Sequence, residues 1–148
     1  VEGERMFYYP NGQVEMMVNY KKGLQDGPFI LYYDNGKIKY KGEFKGDRIF
    51  GERFCYDEEG NLINGEFSFS GYMDTKYEGK AVDGKPEGEV KVSDSSGLIM
   101  MVNFRNGKAH GLTYHFKDGK KVKAENYAGG MFVDDVPVDM SPGTEPKK

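Results

Sequence analysis

The chain has 148 residues with 21 Gly, 11 Tyr, 10 Phe, no Trp and a formal net charge of −3. Glycine at about twice its usual ~7% share weakens helix interiors by about 1 kcal/mol per position, while Tyr and Phe favour strands, so a helical protein is excluded. A slightly acidic balance argues against a nucleic-acid binder, no apolar run approaches the ~18 residues of a membrane span, and the lone Cys55 excludes an internal disulfide or a four-cysteine zinc site.

In chain order, Gly3, Gly27 and Gly51 stand 24 residues apart. Each is followed by an aromatic run (Tyr8-Tyr9, Tyr32-Tyr33, Tyr56), a turn pair (Asn11-Gly12, Asn35-Gly36, Glu59-Gly60) and an aliphatic (Val14, Ile38, Leu62). The pattern returns at Gly88 and Gly111, with turns at Ser96-Gly97 and Asp118-Gly119. Met16-Met17-Val18-Asn19-Tyr20 recurs as Met100-Met101-Val102-Asn103-Phe104, which marks internal duplication. Five units are therefore expected, beginning near 3, 27, 51, 88 and 111.

Each unit reads as a β-hairpin, with Asn-Gly or Asp-Gly expected to form a two-residue primed turn. The second strand of unit two alternates: Ile38, Tyr40, Gly42 and Phe44 on one face, and Lys37, Lys39, Lys41, Glu43 and Lys45 on the other. In the first strands, Met6/Tyr8, Ile30/Tyr32 and Phe54/Tyr56 are expected to face the core, which places Tyr9 and Tyr33 on the opposite side. Unit four has Val90 and Val92 in the alternate phase. An extra hairpin at about 63–77, carrying Phe67, Phe69, Tyr72 and Tyr77, is expected to reset the register and bend the sheet. The fold expected is an all-β repeat protein: a single domain over 3–133, an elongated antiparallel meander of stacked hairpins in one sheet. Residues 134–148, acidic and carrying Pro137, Pro142 and Pro146, read as a flexible tail. The start at Val1 is consistent with a removed leader or a trimmed beginning.

The pattern Gly…Tyr-Tyr-x-Asn-Gly-x-hydrophobic…Tyr/Phe…Gly-x-x-x-Gly resembles the bacterial variant of the MORN repeat, over most of residues 3 to 130. Bacterial chains of this type are grouped as YwqK-like antitoxin or immunity proteins. The resemblance implies stacked hairpins without a catalytic centre, used to bind other proteins.

The side chains offer little chemistry of their own. His110, His115 and Asp118 lack the ligand number of a zinc site, and Cys55 sits where sister units carry Phe7 and Leu31, as a small buried hydrophobe. Asp57, Glu58 and Glu59 cluster at one turn, without the opposition that glycosidase chemistry needs. No enzyme activity, cofactor or metal is expected. The expected function is protein binding or scaffolding, antitoxin-like, through a tyrosine-rich face. Tyr9 and Tyr33 are its candidate contacts, joined by the lysines Lys37, Lys39 and Lys41. The alternative is binding of carbohydrate, a cell surface or anionic lipid. A one-layer sheet with an uncovered apolar face would also favour self-association.

Overall fold

The structure, a computed structural model, describes residues 2–138. Five strands form the first half: β1 (Gly3–Tyr8), β2 (Val14–Lys21), β3 (Leu24–Tyr32), β4 (Ile38–Lys45) and β5 (Arg48–Cys55). The second half holds β6 (Gly65–Ser70), β7 (Lys76–Val82), β8 (Lys85–Pro86), β9 (Gly88–Asp94), β10 (Gly97–Arg105), β11 (Lys108–Ala109), β12 (Gly111–Lys117), β13 (Lys120–Ala128) and β14 (Met131–Val136). Every pairing is antiparallel, and the strands join into one 14-stranded sheet. The extra residues of the third unit form the hairpin β6–β7, with Phe69 opposite Tyr77, and a single 3-10 turn over Tyr72–Asp74 links its strands. Strand β14 runs to Val136, past the boundary expected at 133. The rest of the expected tail, from residue 139 on, lies outside the described residues.

Two kinds of turn alternate, and the expected primed turn forms at Asp118-Gly119 but not at Asn11-Gly12 or Asn35-Gly36. At Tyr9–Gln13 only Gly12 has positive φ (90°). Its N–H donates to the Tyr9 carbonyl and the Tyr9 N–H to the Gln13 carbonyl, which makes a type I turn closed by a left-handed residue. Tyr33–Lys37 and Asp57–Asn61 repeat these bonds. Asparagine is there for its side chain. Asn11 Oδ1 accepts from the Gln13 N–H, and Asn11 Nδ2 donates to the Asp34 carbonyl of the next unit at 2.9 Å. Two-residue turns with both φ positive connect the units instead, at Lys22-Gly23, Gly46-Asp47, Asp83-Gly84, Asn106-Gly107 and Gly129-Gly130, and one more closes β12–β13 at Asp118-Gly119.

Contrary to the expected phase, the residues buried in the first strands are the second and fourth after the leading glycine. They are Phe29 and Leu31 in unit two, Arg53 and Cys55 in unit three, Val90 and Val92 in unit four. Unit four thus follows the common phase, and no register reset occurs. The second strands also depart from the expected alternation, because each carries a bulge: Phe7 pairs Met16 but Tyr8 pairs Val14, and Leu31 pairs Tyr40 but Tyr32 pairs Ile38. The unpaired Glu15 and Lys39 break strict alternation.

The two halves close on each other. One core holds Phe29, Leu31, Tyr40, Ile49 and Cys55 from the first half and Phe67, Phe69, Val90, Val102, Phe104 and Tyr127 from the second. The inner apolar face of the first half is therefore covered by the chain's own second half. The seam is β5. Its amides at Gly51, Arg53 and Cys55 donate to the carbonyls of Gly130, Gly107 and Gly84 at 2.9, 2.7 and 2.6 Å. Those three glycines recur every 23 residues, in the turns that connect successive units. The turns thus satisfy backbone donors that an edge strand would leave open.

Candidate functional site

Tyrosines 9 and 33 lie on the inner side, the reverse of the expected face. The Tyr9 hydroxyl donates to the Tyr32 carbonyl (2.5 Å) and the Tyr33 hydroxyl to the Tyr56 carbonyl (2.7 Å). Each ties one unit to the next, as the asparagine ladder does at Asn11 and Asn35. The Tyr33 ring packs edge-on against Phe69, and burial with neighbouring acids Glu58 and Asp57 pushes its phenol up to about 12. Lys39, the bulge residue, is buried; its Nζ donates to the Ser70 carbonyl at 2.7 Å and lies 5.1 Å from the Tyr33 ring centre. Desolvation lowers its pKa. Of the five expected contacts, Lys37 is exposed at a turn and Lys41 lies on the outer face.

The outer face carries its own tyrosine column. Tyr8, Tyr32 and Tyr56 recur at 24-residue intervals, and each pairs with an aliphatic: Val14, Ile38 and Leu62. A second row crosses all five strands as Met6, Met17, Ile30, Lys41 and Phe54, set by direct pairing. Tyr8 is 58% exposed and Met6 42%. Three ammonium groups lie over rings of this face: Lys41 over Phe54 and Tyr56, Lys45 over Phe50, and Lys85 over Phe54, at 5.3–6.0 Å from the ring centres. The first half thus carries apolar side chains on both faces, and among the described residues the apolar core of the second half packs only against the inner one.

On the inner side, β12 and β13 present a charged network that the sequence reading missed. Glu125, 3% exposed, accepts from His115 Nε2 at 2.7 Å and from Arg48 Nε at 3.2 Å, with Lys123 Nζ at 3.6 Å. Arg48 comes from β5, so this pair joins the two halves, and its guanidinium stacks on Phe132 at 3.7 Å. Burial opposes ionisation of Glu125, but His115, Arg48 and Lys123 outweigh it and hold the carboxyl below its usual value of 4.5. A depressed native pKa adds stability that is present above the unfolded value and lost as pH falls through the native one. Glu125→Gln is expected to lower unfolding free energy at pH 7 by about 1–3 kcal/mol, the scale of charge-assisted hydrogen bonds. The gap should close as pH drops below 4.5, read by urea titration at pH 7 and pH 3. A gap unchanged between those pH values would show that the network contributes through shape rather than charge.

Among the described residues, no three His, Cys, Asp or Glu side chains are grouped to hold a metal ion. His110 and His115 are separately engaged: His110 Nδ1 accepts from the Gly129 N–H at 3.4 Å, while His115 pairs with Glu125. Cys55 is fully buried, and burial pushes its thiol up to about 12. Asp57 Oδ1 accepts from the Glu59 and Asn61 amides, as a turn-building acid does.

No curated protein matches the chain. The family model described as MORN repeat variant matches residues 1–22 and 25–45. Those residues cover β1–β2 and β3–β4, the two hairpins whose turns carry the tyrosine and asparagine ladders. The first two hairpins of this chain are thus similar to the MORN repeat variant.

Proposed function

We propose that this is a non-enzymatic protein-binding module of the antitoxin or immunity type, which captures an acidic protein surface on the outer face of β1–β5. The observation that carries the reading is the second apolar face. Met6, Tyr8, Tyr32, Phe54 and Tyr56 form a half-exposed aromatic sheet surface, although the chain already covers its other side. Aromatics supply contact area with few rotors, and depletion of charge at the centre with cations around it is how interfaces are composed. Lys37, Lys41 and Lys45 give that surface its sign, while Lys85 is paired with Glu52 at 2.9 Å. A sugar would need open ring faces, whereas Phe50 and Phe54 already hold lysine ammonium groups over theirs.

The test compares the wild-type chain with the pair Tyr8→Ser and Lys41→Glu as bait in extracts of the native host. Both substitutions sit on the outer face, so the thermal midpoint should stay within a few degrees. One specific protein should be retained by the wild type and lost at least tenfold by the double variant, with retention by the wild type weakening as salt rises. If both baits retain the same proteins equally, or vesicles of anionic lipid bind where no protein does, the reading is wrong.

A further inference from the structure

Between the two halves lies a cavity of about 310 Å³, walled by apolar side chains including Met16, Phe44, Val92, Met100 and Phe104. That is the lower end of the roughly 300–1,000 Å³ range of small-molecule pockets. Exposed Asp47 lies at its rim, so the cavity opens to solvent there. One wall residue does not belong to an apolar lining. Arg53 occupies the core column of β5, where sister strands carry Phe29 and Val90, and it is 4% exposed.

Its guanidinium lies 5.5, 5.5 and 5.0 Å from the ring centres of Phe29, Tyr40 and Phe44. Among the described residues, no Asp or Glu oxygen is within 4.0 Å of it. Two of its nitrogens, Nε and Nη2, are buried with no hydrogen-bond acceptor. These two N–H groups share one edge of the planar guanidinium and run parallel, which is the fork that a carboxylate accepts side-on. Space for the arginine is also built in. Gly42 lies against it, and a Cβ there would stand 2.9 Å from Arg53 Cγ and Nε.

A buried guanidinium seldom goes without an anion, because burying an unpaired charge is unfavourable. The aromatic rings and the Tyr40 hydroxyl lie against the cation, but none of them carries the negative charge that would balance it. The one carboxylate on the cavity wall away from the rim, Glu125, is committed to His115 and Arg48. Tyr77 and Tyr127 also line the space, and burial pushes both phenols up to about 12, so they stay protonated and carry no competing negative charge at neutral pH.

We propose that this cavity is a binding site for a small monocarboxylic acid with an apolar body, its carboxylate paired with the guanidinium of Arg53. The apolar walls take the hydrocarbon or aryl portion, and the single guanidinium fork limits the head to one carboxylate. The outer-face protein site is separate from it, so each can be lost without the other.

Calorimetric titration of the full chain with octanoate and with phenylacetate tests the assignment, using octanol and 2-phenylethanol as uncharged counterparts. At least one acid should bind saturably, at one site per chain, and at least tenfold more tightly than its alcohol. Arg53→Met, close in volume and uncharged, should remove that preference while the variant keeps its strand spectrum. Should Arg53→Met fail to fold, the acid-against-alcohol comparison in the wild type decides by itself. Failure of both acids to bind, equal affinity for acid and alcohol, or a folded Arg53→Met that binds the acids as the wild type does would each overturn the proposal.

Discussion

Tyr40→Ala is expected to lower the unfolding free energy by about 3–5 kcal/mol, the range for truncating a fully buried aromatic. Tyr40 is 1% exposed, and its ring stands between the halves. It meets Phe29 of its own half edge-on at 6.2 Å, and Phe67, Phe69 and Tyr77 of the other at 6.3, 5.7 and 5.5 Å. Truncation leaves a void shared by both halves of the sheet, so neither can collapse into it alone. A loss of that size is a large part of the roughly 5–15 kcal/mol that holds a domain folded. Tyr40→Phe keeps the ring and should cost under about 1.5 kcal/mol, in line with volume-conserving changes. Tyr8→Ala, on the exposed outer column, should fall within about 0.5 kcal/mol of wild type. Urea titrations of the three variants check the order. Equal losses for Tyr40→Ala and Tyr8→Ala would mean that the two halves do not share a core.

The repeat was legible because its glycines answer a local demand. Gly12, Gly36 and Gly60 must take positive φ wherever the turn recurs, so their spacing survives in the sequence. Which face is buried was harder to read, for a reason equally local. Adjacent Tyr-Tyr pairs supply an aromatic to either phase, and bulges at Glu15 and Lys39 bring a charged residue to the side that alternation gives to its neighbour. Unit four, with Val90 and Val92 between lysines and acids, held the correct phase in plain view. Carried back to unit three, it would have placed Arg53 in the core column. An arginine there reads as a solvated face until the second half is known to cover it. Closure of the halves itself is not written in any one segment, because β5 meets turns about 30 to 80 residues further along the chain, at Gly84, Gly107 and Gly130.

That closure gives the second large effect, in a glycine pair that separates backbone strain from the seam. Gly107 and Gly119 both take the second position of a two-residue turn, with φ of 83° and 78°. Alanine at either position incurs the left-handed penalty of about 1–2 kcal/mol, partly offset by a stiffer unfolded chain. Their surroundings differ. A Cβ on Gly119 meets nothing within 4 Å, whereas on Gly107 it would stand 3.1 Å from the Arg53 carbonyl oxygen and 3.1 Å from Glu52 Cγ. The Arg53 carbonyl cannot retreat freely, because the Arg53 N–H is bonded to Gly107 O at 2.7 Å. Gly119→Ala should therefore cost about 1 kcal/mol, and Gly107→Ala roughly 3 kcal/mol, the excess being a displaced seam with a buried backbone bond lost. Hydrogen exchange locates the difference: the Arg53 amide should lose protection in Gly107→Ala beyond what the global loss explains, and keep it in Gly119→Ala. Equal costs and equal exchange in the two variants would show that β5 is held by its pairing with β4 alone, with the turns of the second half merely resting against it.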